Sequence, residues 1–181
     1  MSRIVLEDRI ETPLGAMVVL ADEDKLIGLS FDDPPGWVLK DLERRFSDFE
    51  LRHTSDPCGF SDRIRAYFAG ELAAIDEIPA EAEGTSFEMR VWAELRRIPC
   101  GETASYGEIA ERVGDRNGAR AVGIANHRNP VALVVPCHRV IGADGKLVGY
   151  GGGLDRKTWL LRHEGLPVRN GRIDPQADLF D

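Results

Sequence analysis

Residues 105–130 constrain this chain more than any other stretch. Ser105-Tyr106-Gly107-Glu108 has the spacing of a capping box, an N-cap serine with a glutamate three residues on. A short helix through Ile109, Ala110 and Val113 follows and stops at Gly114. Asp115-Arg116-Asn117-Gly118 is a turn, and Ala119 to His127 makes a second short helix ahead of Pro130. Two short helices joined by a tight glycine-containing turn predict a helix-turn-helix. Two packed core helices would look similar, so the surroundings must decide what the pair is for.

Charge supplies that context. The net charge of −8, taken whole, argues against a nucleic-acid partner. Its distribution reverses the inference. Residues 1–84 hold 9 Lys/Arg against 19 Asp/Glu, a net −10, while residues 85–172 hold 14 against 9, a net +5, and the last nine residues add three aspartates. A basic half joined to an acidic one is expected where a single lobe meets polyanion. The helix-turn-helix lies in the basic half. Its second helix carries Arg120 among slim residues, Ala119, Ala121, Gly123 and Ala125, which suit close approach to a nucleic-acid backbone or groove.

Upstream, Pro13–Leu20 and Leu26–Phe31 are apolar runs separated by polar residues 21–25, which predicts a hairpin. Residues 32–36 break the chain; Val38, Leu39, Leu42 and Phe46 then recur at helical spacing. A second helix holds Ile64, Tyr67 and Phe68 and stops at Gly70. Residues 78–84 read as a linker, after which Phe87, Val91, Leu95 and Ile98 mark a helix ended by Pro99-Cys100-Gly101. Further on, Ile141–Val148 reads as strand, turn, strand, residues 149–153 as a glycine-rich loop able to approach a ligand closely, and Arg156–His163 as a final helix. The expected organisation is α+β: a small sheet-and-helix support domain over 1–84, a mostly helical domain over 85–172, and an acidic tail over 173–181.

No stretch approaches the ~20 apolar residues of a membrane span, and the N-terminus turns acidic too early for a secretory signal. A cytoplasmic setting with no membrane partner is expected. Cys58, Cys100 and Cys137 are widely spaced, odd in number and form no C-x-x-C, so neither a disulfide framework nor a metal site is predicted. With no Gly-rich nucleotide loop either, no cofactor is expected.

Chemistry concentrates at Pro136-Cys137-His138-Arg139, which ends the apolar run 131–135. A cysteine attacks as its thiolate, and the reference pKa near ~8.5 leaves little thiolate at neutral pH. A base or a cation beside the thiol is the usual remedy, and this tetrapeptide holds both. In isolation, a cysteine at the end of an apolar strand, as 131–135 reads, is more often inert core.

Val134–Ile141 closely resembles the active-site signature of the O6-alkylguanine-DNA alkyltransferases (methylated-DNA–protein-cysteine methyltransferases). So do Val91-Trp92, Ile98-Pro99, Ser105-Tyr106, Ala119-Arg120-Ala121-Val122-Gly123, Asn129-Pro130, Gly149-Tyr150 and Leu160–Gly165, in the same order. The likeness is dense over about residues 84–166 and weaker at Thr12–Gly15 and Tyr67–Gly70. It implies a ribonuclease H-like N-terminal domain and a winged-helix-like second domain. It also implies a repair protein that binds duplex DNA, rotates O6-alkylguanine out of the stack and moves the alkyl group irreversibly to Cys137, once per chain. Whether O4-alkylthymine is also a substrate stays open.

Carried over by position, His138 would deprotonate Cys137 and Glu164 would orient the imidazole. Neighbours in extended chain point to opposite sides, so a bridging water is expected between them. Tyr106 would meet the flipped base and donate a proton, and Arg120 would fill the gap in the stack. Ala119, Ala121, Gly123 and Asn126 would face DNA. Asn129 would tie the helix-turn-helix to the cysteine turn. Pro136, Arg139, Val140, Tyr150 and Gly151, with Asn129, would form the base pocket or support it structurally, with the carbonyls of Cys137 and Val140 and the Gly151 amide reading the guanine edge.

Departures from the family pattern fall at Asn126, commonly apolar, at Gly151, where serine is frequent, and at Glu88, in place of a frequent glutamine. The tail contains Gln176-Ala177-Asp178-Leu179-Phe180, similar to the Gln-x-x-Leu-Phe peptides that dock on the bacterial sliding clamp. Two other classes compete: a lesion-binding protein without chemistry, against which Cys137 argues, and a Cys-His-Glu hydrolase, for which the sequence offers no oxyanion loop.

Overall fold

A hairpin forms where residues 21–25 interrupt the first two apolar runs. In the computed structural model, which describes residues 2–176, β2 (Gly15–Asp22) and β3 (Lys25–Phe31) pair antiparallel. β1 (Arg3–Thr12) pairs antiparallel with β2 and parallel with β4 (Phe49–His53), giving the order β3-β2-β1-β4. Neither β1 nor β4 announces itself as an apolar run. β1 carries Glu7, Asp8 and Arg9 in its middle, and sheet pairing rather than hydrophobicity makes it a strand.

One sheet face is covered by α1 (Trp37–Arg45), as its helical spacing predicts. Val38 and Leu42, with Phe46 just beyond the helix, pack against Val5, Val18, Leu20 and Ile27. Burying a leucine such as Leu42 contributes roughly 2 kcal/mol, and truncating it to alanine would cost about 2–5 kcal/mol. α2 (Phe60–Phe68) buries Phe60, Ile64 and Tyr67 at spacings of four and three. These elements, together with Pro130–Val134, make the first compact unit; Thr85–Asn129 and the described residues from Val135 on make the second.

The second unit opens with α3 (Ser86–Arg96). Its capping box was not read from sequence: Thr85 Oγ1 accepts from the Glu88 amide at 3.2 Å, and Glu88 Oε2 accepts from the Thr85 amide at 2.9 Å. The second box forms where the sequence places it, Ser105 with Glu108, at 3.1 and 2.6 Å. It starts α4 (Tyr106–Arg112). The turn to α5 (Ala119–His127) needs Gly118: a Cβ there would lie 2.7 Å from the Asp115 carboxyl carbon and 3.0 Å from its carbonyl oxygen. α5 packs on both α3 and α4, and Trp92 of α3 donates its indole N–H to the Ala125 carbonyl at 2.9 Å.

A two-residue parallel ladder joins β5 (Ala104–Ser105) to β6 (Val140–Ile141), so the start of the helix-turn-helix is pinned to the chain just after Cys137. α6 (Leu154–His163) begins two residues earlier than its sequence pattern suggests. A small hairpin, β7 (Val168–Arg169) with β8 (Arg172–Ile173), closes a cluster of Ile141, Leu147, Leu161 and Val168. Ile173, at the head of the acidic stretch, thus belongs to a strand; Leu179 and Phe180 of the clamp-like peptide lie outside the described residues.

Ile141–Val148 is not a pair of strands: after β6 the chain turns, with the Gly142 amide donating to the Lys146 carbonyl at 2.8 Å, and Lys146 makes only an isolated bridge to Arg172. The apolar run 131–135 is not a strand either. Val131 bridges Leu29, then Leu133 takes a positive φ of 68° and turns the chain. Apolar composition signals burial there, not extension.

Candidate active site

Pro136 lacks an amide N–H and caps a single 3-10 turn, Cys137–Arg139. The backbone at Cys137-His138 is therefore coiled, not extended as read from sequence. At three residues per turn, neighbours still diverge by about 120°, so thiol and imidazole leave the chain in different directions. Cys137 is 6% exposed and His138 fully buried.

Behind the turn lies a buried charged cluster. His138 Nε2 is 2.8 Å from Glu164 Oε1, and the Arg139 guanidinium donates to both Glu164 oxygens, Nη2 to Oε1 at 2.8 Å and Nε to Oε2 at 2.9 Å. Arg139 Nη1 reaches the Ile98 carbonyl at 2.7 Å, past the end of α3. Glu164 is the C-cap of α6, where the helix dipole disfavours a negative charge. Burial would also push its carboxyl up, yet His138 and Arg139 hold it well below the usual carboxylate range.

That carboxylate fixes the imidazole tautomer. An ionised carboxylate only accepts, so Nε2 must carry the hydrogen and Nδ1 holds the free lone pair. Burial lowers the His138 pKa, only partly opposed by Glu164, which keeps the ring neutral at ordinary pH. Nδ1 is buried and meets no hydrogen-bonding partner among the described residues. Burial likewise pushes the Cys137 thiol up, against a side-chain hydrogen bond from Asn129, the charge of Lys157 and backbone amides that favour the thiolate.

A cleft of about 330 Å³ opens beside the turn. Its walls include Tyr106 from α4, Ala119, Arg120, Gly123 and Asn126 from α5, and Val148, Gly149 and Tyr150 from the following loop. Asn126, 5% exposed, donates Nδ2 to the Cys137 carbonyl at 3.2 Å. Asn129 donates Nδ2 to the Val135 carbonyl at 2.7 Å, so both asparagines fasten α5 and its exit to the cysteine turn. The Tyr106 hydroxyl donates to the Val148 carbonyl at 2.9 Å, with the Gly149 carbonyl at 3.3 Å. Burial pushes the Tyr106 pKa up to about 12, so it remains an O–H donor. Arg120 is exposed at the mouth; Ala121 is half-buried on α5, off the cleft lining. Gly151 sits beside His127, where a Cβ would come 3.5 Å from Nδ1.

Two models of the 6-O-methylguanine DNA methyltransferase family match the sequence, the ribonuclease-like domain over residues 5–82 and the DNA binding domain over 86–166. The chain belongs to this family. A methylated-DNA–protein-cysteine methyltransferase of Shigella flexneri is 46% identical over 164 residues, covering 89% of this chain and 96% of that protein. The structure of the Mycobacterium tuberculosis O6-methylguanine methyltransferase matches with a TM-score of 0.75 at 39% identity, over 98% of this chain and 99% of that one. M. tuberculosis OGT in complex with DNA matches at 0.74 and 40%, over 88% and 92%.

Within this family member, two site features escaped the sequence reading. Lys157 of α6 is completely buried and donates to the carbonyls of Val140, Val148 and Gly149. Its signal was present: Lys157, Leu160, Leu161 and Glu164 follow the i, i+3, i+4, i+7 spacing of a buried helix face. Glu88, flagged only as a departure, closes the α3 box and pairs with Arg128 at 3.1 Å. Among the described residues no group of three or more His, Cys, Asp or Glu is placed to hold a metal, and no helix is long and apolar enough to cross a membrane.

Proposed function

We propose that this protein repairs O6-alkylguanine in double-stranded DNA by taking the alkyl group onto Cys137, one group per chain. The reading is supported above all by His138, the residue that follows Cys137 in the chain, a buried neutral imidazole whose Nε2–H is held by Glu164 and whose Nδ1 keeps its lone pair. The related protein crystallised with DNA supports the polymer class of the substrate.

The lesion leaves the stack and enters the cleft between Tyr106, α5 and the 148–150 loop, because a thiolate cannot attack in line while the base is stacked. Arg120, exposed at the mouth, enters the duplex in its place. Cys137 passes its proton through a water to His138 Nδ1. Its sulfur then bonds to the alkyl carbon as the carbon–O6 bond breaks, and the electron pair goes to the purine. Tyr106 exchanges its loop carbonyl for the base and supplies a proton, which His138 restores; overall one proton passes from sulfur to guanine. A thioether does not revert in water, so the site is spent.

A Cys137→Ser variant tests this against the lesion-binding alternative. The parent is expected to restore guanine, and the variant to bind an O6-methylguanine duplex as the parent does while restoring none; a parent that binds and restores none would favour the alternative. Guanine restored by the variant would refute the assignment. For the chain end, Gln176, Leu179 and Phe180 are proposed to dock on a bacterial sliding clamp, so deleting the last six residues should abolish clamp binding and spare alkyl transfer. Equal binding by the truncated chain would end that part.

A further inference from the structure

Lysine side chains ordinarily keep their ammonium in water, and burying one costs several kcal/mol unless its donors are met. Lys157 has no solvent exposure, and its three N–H donors go to three backbone carbonyls, those of Val140, Val148 (3.1 Å) and Gly149 (3.2 Å). None of these partners is an anion. Two of the carbonyls, Val148 and Gly149, are the ones that face the Tyr106 hydroxyl, and the Tyr106 ring lies 5.9 Å from the ammonium. The third belongs to Val140, at the end of the cysteine turn, on which α6 packs. The lysine is therefore lodged between the nucleophile turn and the loop that walls the cleft, with hydrogen bonds satisfied and charge unbalanced.

We infer that Lys157 is a positioning residue whose ammonium is the buried counter-charge of the Cys137 thiolate, while its hydrogen bonds hold the 148–149 loop at the cleft. The assignment rests on Cys137 being the nucleophile. The groups that face this charge are few. Cys137 gains from it. His138, on the same turn, is kept neutral by burial above all and by this charge as well, with Glu164 on the ring's other nitrogen only partly opposing them. Tyr106 and Tyr150 stay neutral, their burial and the Cys137 charge both opposing ionisation. Arg139 is engaged by Glu164. Burial brings the Lys157 pKa down to about 8, against the pull of Cys137, so the ammonium predominates at neutral pH. A carbonyl clamp alone has no need of a charge; a thiolate formed in a dry pocket does.

The test uses the full chain without DNA. A small reagent, iodoacetamide, alkylates the thiolate with loss of iodide, and peptide mass spectrometry follows Cys137 separately from Cys58 and Cys100. In Lys157→Met the rising limb of the Cys137 rate should move up by at least about one pH unit, a loss of roughly tenfold at pH 7 that higher pH restores. Cys58 and Cys100 should not change. A rate lowered equally at every pH, or unchanged, would overturn the inference in favour of a purely structural lysine. Should the variant not fold, the parent protein answers by reciprocity: the Lys157 ammonium, followed by NMR, should titrate higher in the parent than in Cys137→Ser. Identical titrations would also overturn it. Neither arm involves alkylated DNA, so a protein that shows this coupling yet takes no methyl from DNA would fail the proposed function and keep the inference.

Discussion

His138 Nε2 sits 2.8 Å from Glu164 Oε1, and the opposite ring nitrogen is buried with no hydrogen-bond partner among the described residues. The carboxylate does two jobs through one contact, fixing the tautomer and preparing the ring to accept a proton. It performs both only because Arg139 neutralises it from the other side.

Removing that charge should be severe. Glu164→Gln leaves the Arg139 guanidinium buried without its anion and lets the imidazole take either tautomer. Breaking a buried pair from one side costs about 3–5 kcal/mol, and the loss of an oriented base about a hundredfold or more in rate. Denaturant melts and single-turnover transfer from an O6-methylguanine duplex measure the two separately. Near-parental values in both would exclude the role given to Glu164.

The pH profile of transfer follows from the same shifts. His138 has its folded pKa lowered, so it stays neutral as the pH falls through the usual histidine range. The acid limb should lie below pH ~6.5. Stability carries the matching sign. Below that pH the unfolded chain binds a proton that the folded ring does not, so stability declines on acidification until the folded pKa is reached. Rate and melting temperature measured from pH 5 to 8 check both; an acid limb above 6.5 contradicts the neutral, buried ring.

Arg120 stands apart from this network, exposed on α5 at the mouth of the cleft. Arg120→Ala should leave stability within about 0.5 kcal/mol and the reaction of Cys137 with free O6-benzylguanine unchanged, while transfer from duplex DNA falls at least tenfold. Equal loss with the free base and the duplex would move Arg120 from DNA entry to the site itself.

The α3 box offers a stability test remote from the chemistry. Glu88→Ala removes the bond to the Thr85 amide and the partner of Arg128, for about 1 kcal/mol. Glu88→Gln keeps an acceptor for that amide and should cost less than about 0.5 kcal/mol, since the Arg128 side chain is largely in water. Thermal melts distinguish them; equal costs would mean that the ion pair, not the cap, stabilises this helix start.

Features set by local spacing were legible in the sequence. The Ser105–Glu108 box and the apolar stripe of α3 each depend on neighbours within four positions, and each has its expected form. Features decided by distant pairing were not. β1 carries three charged residues in a row and is a strand because β2 and β4 flank it. The run 131–135 looks like a strand and turns at Leu133. Lys157 sat on a core stripe but reads in isolation as a surface lysine, since its acceptors come from residues 140, 148 and 149. The family resemblance named Cys137, His138 and Glu164 together; only the folded chain displays Arg139 gripping that glutamate.

The most direct test of the account is a titration read by mass. Protein incubated with excess O6-methylguanine duplex should gain the mass of one methyl group per chain and no more, with the label on the peptide containing Cys137 and one guanine restored for each chain consumed. More than one guanine restored per chain, or a methyl group found on Cys58 or Cys100 instead, would contradict it.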